Sequence, residues 1–255
     1  MKIKLYIVTY KANDMLVRCL KSVGSLVGVH IINNFGALTP LKGVPVYNNV
    51  CRPDWSTGHL SRSWNQALLL GFKDLSNPDA DIVCACQDDT VFEPDWRERL
   101  VELHERYEFI QQGVGDNFMS WTPAAVKGIG MWDERFNGIA HQEGDYFLRS
   151  VLSGLSVTIN DAWRGHQRVH NPVGDVVIKP MPSGRQSGAH AGKREIAKQG
   201  DRWMESNRAW FGEKWGGSEF VGGWTPEKLS RVKRSREEIN LYPYFEKDID
   251  RRLYV

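Results

Sequence analysis

Apolar and polar positions in the first half of the chain alternate between two periods. Ile3 to Thr9 is an apolar run of strand length, and Asn13 stands where an N-cap would open a helix. Leu16, Cys19, Leu20 and Val23 follow at i, i+3, i+4 and i+7, the spacing of one helix face. Gly28 to Ile32 predicts a second strand ending in Asn33-Asn34, and Val44 to Tyr47 a third ending in Asn48-Asn49. A helix is expected from about His59 to Phe72, with Leu60, Trp64, Leu68 and Phe72 on one side. The apolar run from Asp81 through Ile82 to Cys86 then stops abruptly at Gln87-Asp88-Asp89.

Strands alternating with helices and ending in short polar tips are the pattern of an α/β fold, a parallel sheet covered by helices. Glu93 to Gln112 reads as one long helix, with Pro94 near its first turn and Trp96, Leu100, Leu103, Tyr107 and Ile110 as the buried stripe. A strand around Asn117 to Trp121, a short helix after Pro123, a loop over Gly130 to Phe136 and a late strand over Val157 to Arg164 complete the pattern. From Pro180 to Gly192 the chain is rich in Gly, Ser, Pro and basic residues, which suggests a mobile loop. From about Lys193 it is charged and Trp-rich, with helices and no clear core of their own.

Composition narrows the partners. Of 255 residues, 41% are hydrophobic and 25% charged, which is ordinary for a soluble globular protein. A net charge of +2 is too small to make nucleic acid the main partner. No apolar run approaches membrane-spanning length, and the N-terminus reads as a first strand rather than a signal peptide, so a cytoplasmic location is expected. The four cysteines form no C-x-x-C pair, consistent with reduced, packed thiols.

Candidate chemistry concentrates at strand ends. In open α/β sheets, ligands lie beyond the carboxyl ends of the strands, so Asp88 and Asp89 stand where a ligand would be. Adjacent carboxylates repel unless a cation neutralises them, and oxygen donors suit Mg²⁺ or Mn²⁺. The plainer reading is a strand-to-helix turn, for which Asp is a good former. Glu143 and Asp145 stand at a predicted helix entrance, where a carboxylate caps the helix or serves as a general base toward a hydroxyl. His166 and His170 follow the late strand and would offer neutral imidazoles to a metal. The rings of Trp121 and Trp132 would fill the core or stack on a sugar.

In order along the chain, these segments resemble nucleotide-sugar glycosyltransferases of the GT-A fold, most like the inverting family 2 type. The resemblance covers roughly residues 3–170. It runs through Val8-Thr9-Tyr10, Asn33-Asn34, Gly58 with Asn65, Gln87-Asp88-Asp89, Trp132-Asp133-Glu134-Arg135-Phe136 and Gln142-Glu143-Gly144-Asp145 into Leu148-Arg149. Phe211-Gly212-Glu213-Lys214-Trp215-Gly216 is similar to a C-terminal F-x-x-K-W-G of such enzymes. The resemblance implies a Rossmann-like, mostly parallel central sheet flanked by helices. It implies a catalytic domain over 1–192, with a nucleotide-sugar half over about 1–90 and an acceptor half beyond. Residues 193–255 would be a helical extension packed on that domain.

The implied activity is inverting transfer of a sugar from a nucleoside-diphosphate donor to a glycan hydroxyl, assisted by Mn²⁺ or Mg²⁺. A UDP-sugar is the first expectation and a GDP-sugar the second. Thr9, Tyr10 and Asn34 would border the base, with Asn65 nearby. Asp88 would reach the ribose or the metal and Asp89 would hold the metal, joined by His166 or, failing that, His170. Arg185 and Lys193 would close over the diphosphate. The family usually has Glu-Asp where this chain has Gln142-Glu143, so Glu143 becomes the expected base and Asp145 the alternative. Gln87 likewise replaces a common aspartate. Two other readings are a non-catalytic sugar-binding module of the same fold and a sugar-1-phosphate nucleotidyltransferase. The latter would need glycines in the loop after the first strand, where Thr9-Tyr10-Lys11-Ala12-Asn13 has none.

Overall fold

The computed structural model describes residues 1–10, 14–36, 38, 41, 43–49, 60–113, 116–136, 141–155, 158–160, 167–169, 178–180 and 193–217. For 151, 158–160, 167–169, 178–180 and 193–203 the description is of the backbone alone.

Strand β1 (Ile3–Thr9) is buried from Lys4 to its end, as suits the middle of a sheet covered on both faces. Around it lie β2 (Val29–Asn33), β3 (Val46–Asn48), β4 (Ile82–Gln87), β6 (Phe109–Gln112) and β7 (Phe118–Trp121), in the order β3-β2-β1-β4-β7-β6. Pairings from β3 through β4 are parallel, with Leu5 opposite Val29 and Ile3 opposite Ile82. Strand β7 runs antiparallel to both β4 and β6. The sheet is therefore mixed: it is parallel from β3 through β4 as expected, and β7 alone runs against the other strands. The connection from β6 to β7 spans only 113–117, too short for a crossover and suited to a hairpin.

Successive residues of β1 face opposite sides of the sheet. Tyr6 and Val8 join a core with helix α2 (Leu60–Phe72), helix α4 (Pro123–Ile129) and helix α5 (His141–Leu152). Leu5 and Ile7 join a second core with helix α1 (Asp14–Val23) and helix α3 (Trp96–His104). Helix α2 is buried on nearly every side, including Ser61, Ser63, Asn65 and Gln66. Its Gly71 lets it press on β4, since a Cβ there would lie 2.4 Å from a Val83 methyl.

Helix α3 is shorter than the stripe over Glu93 to Gln112 predicts. Arg106 N–H and Tyr107 N–H both donate to the Leu103 carbonyl, closing the helix, and Phe109–Gln112 pairs with β7 as a strand. Tyr107 and Ile110 fall at helical spacing from Leu103, but the aromatic and β-branched residues around them satisfy a sheet equally well. Helix α6 (Lys193–Trp215) meets α5 through a third cluster of Phe136, Leu148, Phe211 and Trp215. Two short antiparallel ribbons complete the described chain. One pairs β5 (Thr90–Phe92) with β10 (Ile178–Pro180), and the other pairs β8 (Thr158–Asn160) with β9 (Gln167–Val169). Among the described residues no helix is long and apolar enough to cross a membrane, and Cys19, Cys84 and Cys86 are buried free thiols.

Candidate functional site

Chain order places β2 and β3 on one side of β1 and β4 on the other, so the direction of winding reverses between β1 and β4. In open α/β sheets the ends of the strands at such a reversal are where ligands bind. Thr9 ends β1 and Asp88 follows β4, and Thr9 Oγ1 donates to Asp88 Oδ2 at 2.7 Å across the reversal. Both side chains are almost fully buried. Asp89 is half-buried, and Asn117 Nδ2 donates to its Oδ1 at 2.9 Å.

On the β2 side, Tyr10 and Phe35 bring their rings to 5.1 Å with a 58° tilt. Phe35 is 43% exposed, which leaves an aromatic surface beside the strand ends. Asn34 Nδ2 donates to Ser63 Oγ at 2.9 Å, and its Oδ1 accepts from Asn49 Nδ2 at 2.6 Å. Asn33 Nδ2 donates to Asn48 Oδ1 at 2.7 Å, so the two asparagine pairs that end β2 and β3 form a ladder of amides. Asn65 lies deeper. Its side chain accepts from Trp132 N–H at 2.8 Å, and donates to the Trp132 carbonyl at 3.0 Å and to Glu134 Oε1 at 2.7 Å. It thereby clamps the loop between α4 and α5.

That loop leads into the acidic pair on α5, whose two members differ sharply. Asp145 is fully buried. Its Oδ1 accepts from Lys214 Nζ at 2.6 Å and Trp215 Nε1 at 2.9 Å, and its Oδ2 from Arg149 Nε at 3.0 Å. Lys214 also reaches Asp133 Oδ2 at 3.0 Å, and Arg135 grips both oxygens of Asp133. Burial alone would raise the Asp133 carboxyl, but Arg135 and Lys214 outweigh it and hold the group well below the usual carboxylate range. Asp133, Asp145, Lys214 and Arg149 thus form a buried ionic strut, with Arg135 at its exposed edge.

Glu143 is half-buried, and Asp116, which enters β7, is a residue that the sequence reading passed over. Burial pushes Asp116 up to about 6, against hydrogen bonds from Trp64 and Gln87 that favour its charged form. Asp116 and Asn117 immediately precede β7. Because β7 runs antiparallel to β4, with Phe118 opposite Cys86, they lie beside the Gln87-Asp88-Asp89 tip. Gln87 N–H donates to the Asn117 carbonyl at 3.0 Å, and Thr90 Oγ1 donates to it at 3.2 Å. Asp116 accepts from Gln87 at 2.6 Å and from Trp64 at 2.8 Å, so the entrance of β7 ties the tip of β4 to α2. The sequence signal of Asp116 and Asn117 was two polar residues at a strand entrance, which gains meaning only once that strand is known to reverse.

Trp121 and Trp132 are fully buried, and Trp132 stacks on Tyr146 at 4.1 Å and 3°. They are core rings, not exposed sugar platforms. Arg185, His166 and His170 lie outside the described residues, and of Lys193 only the backbone is described. Among the described residues no three His, Cys, Asp or Glu side chains gather into a metal-holding group.

No protein-family model matches the chain. No curated protein matches it either. Among solved structures, the crystal structure of S. aureus TarS 1-349 is similar at a TM-score of 0.40 and 9% identity, over 60% of this chain and 56% of that chain. The likeness thus spans little more than half of that protein.

Proposed function

We propose that the chain is an inverting glycosyltransferase that uses a nucleoside-diphosphate sugar. The observation that carries this reading is the Thr9–Asp88 hydrogen bond, 2.7 Å across the reversal between β1 and β4, with half-buried Asp89 beside it. The order of motifs along the chain supplies the choice of chemistry at that position.

The base would lie toward Tyr10 and Phe35, whose rings offer an aromatic face, with the Asn34 amide at its edge. UDP is the first choice and GDP the second. Asp88 would reach the ribose. One half-buried carboxylate is a poor metal cage by itself, but Mg²⁺ and Mn²⁺ suit one or two carboxylates completed by substrate phosphates. Asp89 fits that role, with His166 as a further candidate ligand. When bound, the ion would neutralise charge on the departing diphosphate.

Glu143 takes the proton from the acceptor hydroxyl. The acceptor oxygen then bonds to the anomeric carbon as the carbon–oxygen bond to the diphosphate breaks on the opposite face. Asp145 is unsuited to this work, because its two oxygens already accept from Arg149, Lys214 and Trp215.

Calorimetric titration with UDP and GDP, each with and without Mn²⁺, tests the donor site. One nucleotide should bind in a metal-dependent way, and Asp89→Ala should abolish that binding. If the folded protein binds neither nucleotide, the transferase reading fails. Release of UDP from UDP-sugars would then separate an enzyme from a binding module.

A further inference from the structure

At the other edge of the sheet, where β1 begins, lies a cavity of about 650 Å³. Small-molecule pockets run from about 300 to 1,000 Å³. Ile3 of β1, Val27 just before β2 and Val101 of α3 give it apolar walls, and His30 of β2 and Arg97 of α3 bring nitrogens to it. Ile3 and Thr9 are the two ends of β1, so about 20 Å of strand separates this cavity from the proposed nucleotide site.

Arg97 is half-buried. Its Nη2 donates to the Ser25 and Val27 carbonyls at 3.0 and 3.1 Å, and its Nε is buried without a hydrogen-bond partner. Its Cζ lies 4.6 Å from the Trp96 ring centroid. Carbonyls and a ring face attract a cation but carry no net charge to balance it. Glu98 also lines the cavity, but it is exposed, where water and salt screen its charge. Lys2 and Lys4 share the carboxylate of Asp79 with Lys73, and Asp81 accepts from the Lys2 backbone N–H. Lys2, Lys4, Lys73 and Arg97 thus stand against Asp79, Asp81 and Glu98, a surplus of one positive charge.

His30 adds no second surplus charge. Burial pushes it down to about 4, so it is neutral near pH 7. Its ring stacks at 4.7 Å and 15° on Tyr6 and at 6.0 Å and 25° on Tyr47, and its Nδ1 is buried without a partner. Buried polar groups rarely go unpartnered, so two such nitrogens on one lining point to hydrogen bonds made with a guest.

We infer that this cavity binds a small amphipathic acid, its one anionic head on the Arg97 guanidinium and its apolar body against Ile3, Val27 and Val101. Because Nη2 holds the turn over 25–27, the Nη1 side of Arg97 is the face left for the head. A carboxylate and a phosphate monoester share this chemistry. Binding here does not depend on the transferase reading.

The intact protein is titrated with octanoate, octyl phosphate, octanol and inorganic phosphate. NMR of the Arg97 Nε–H follows the head, and NMR of the Val27 and Val101 methyls follows the body. Octanoate or octyl phosphate should saturate one site and shift both sets of signals, and the tighter of the two identifies the head group. Octanol and inorganic phosphate each lack one half and should bind about tenfold more weakly or worse. Arg97→Gln should weaken the acid by about tenfold or more and leave octanol unchanged. Because Arg97 also braces a turn, Val27→Glu supplies a second variant at a position 80% exposed. Its added carboxylate should weaken the acid by about threefold or more.

The assignment fails if octanol or inorganic phosphate binds as tightly as the acids, if neither acid saturates, or if folded Arg97→Gln keeps its acid affinity. Should that variant not fold, Val27→Glu decides in the same way. Titration with UDP and GDP reads the transferase proposal separately, at the far end of β1.

Discussion

Glu143 and Asp145 sit two positions apart on one helix, and residue-level chemistry assigns them different work. Asp145 is fully buried and accepts from Lys214, Arg149 and Trp215. Asp145→Asn would leave buried cations short of a counter-charge, at a cost of about 3–5 kcal/mol in urea unfolding. Glu143→Gln keeps the side chain's length at a half-buried position and should change unfolding by about 1 kcal/mol or less. Its transfer rate should nonetheless fall by about two to four orders of magnitude, with nucleotide binding kept. Near-normal transfer by Glu143→Gln would remove it from the role of base. The sequence presents both residues as carboxylates at a helix entrance and leaves either eligible. What separates them is Lys214 and Trp215, far away in the chain and brought to Asp145 only by the packing of α6.

At the scale of elements, the end of α3 is fastened to β7 by His104. Its Nδ1 lies 2.8 Å from the Tyr107 carbonyl and its Nε2 2.8 Å from Ser120 Oγ. A carbonyl only accepts, so Nδ1 carries the proton and Nε2 accepts from the Ser120 hydroxyl. Burial pushes His104 down to about 4, against the partial support of the Tyr107 carbonyl. The unfolded chain takes up this proton near 6.5 and the folded chain only near 4. The contribution is therefore complete above pH 6.5 and is lost as pH falls toward 4. By pH 5 the loss is about 2 kcal/mol. Asp116 acts in the opposite sense. Its raised value makes the folded state the better proton binder between the ordinary 3.8 and about 6, so it favours folding on acidification. Urea midpoints of wild type and His104→Gln, compared at pH 7 and pH 5, isolate the histidine. The variant should lose less stability on acidification, and parallel losses would refute the assignment. Sequence periodicity ran the α3 helix through this corner because Tyr107 and Ile110 keep helical spacing. The reversal at β7 was equally hidden, since a strand's direction depends on its neighbours and on the length of its connection. Strands β1 to β4 were easier to read, as each is a short apolar run with a polar tip.

The whole molecule divides its work between two regions held by different packing. The β1–β4 tips that would receive the nucleotide rest on the two cores that sandwich the sheet. The start of α5, which would carry the base, depends also on the third cluster, where Phe211 and Trp215 of α6 meet Phe136 and Leu148. Lys214 is the ionic centre of that junction, 3% exposed and within 3.0 Å of both Asp133 and Asp145. The motif around Phe211 to Gly216 marked this segment in the sequence, but its spacing carries no hint that its lysine would serve two buried carboxylates. Lys214→Met preserves much of the side-chain volume and removes the charge. Asp133 would then rely on Arg135 and Asp145 on Arg149, and the loss of a buried partner should cost about 3–5 kcal/mol. Because the strand tips have their own support, nucleotide binding should stay within about threefold under conditions where the variant remains folded, a shift of about 0.6 kcal/mol. Transfer should fall by tenfold or more as α5 loses its fixed orientation. Calorimetry and turnover on one preparation decide the matter. If nucleotide affinity falls in step with turnover, the strut supports the whole site, and the separation between a nucleotide end and a base end is wrong.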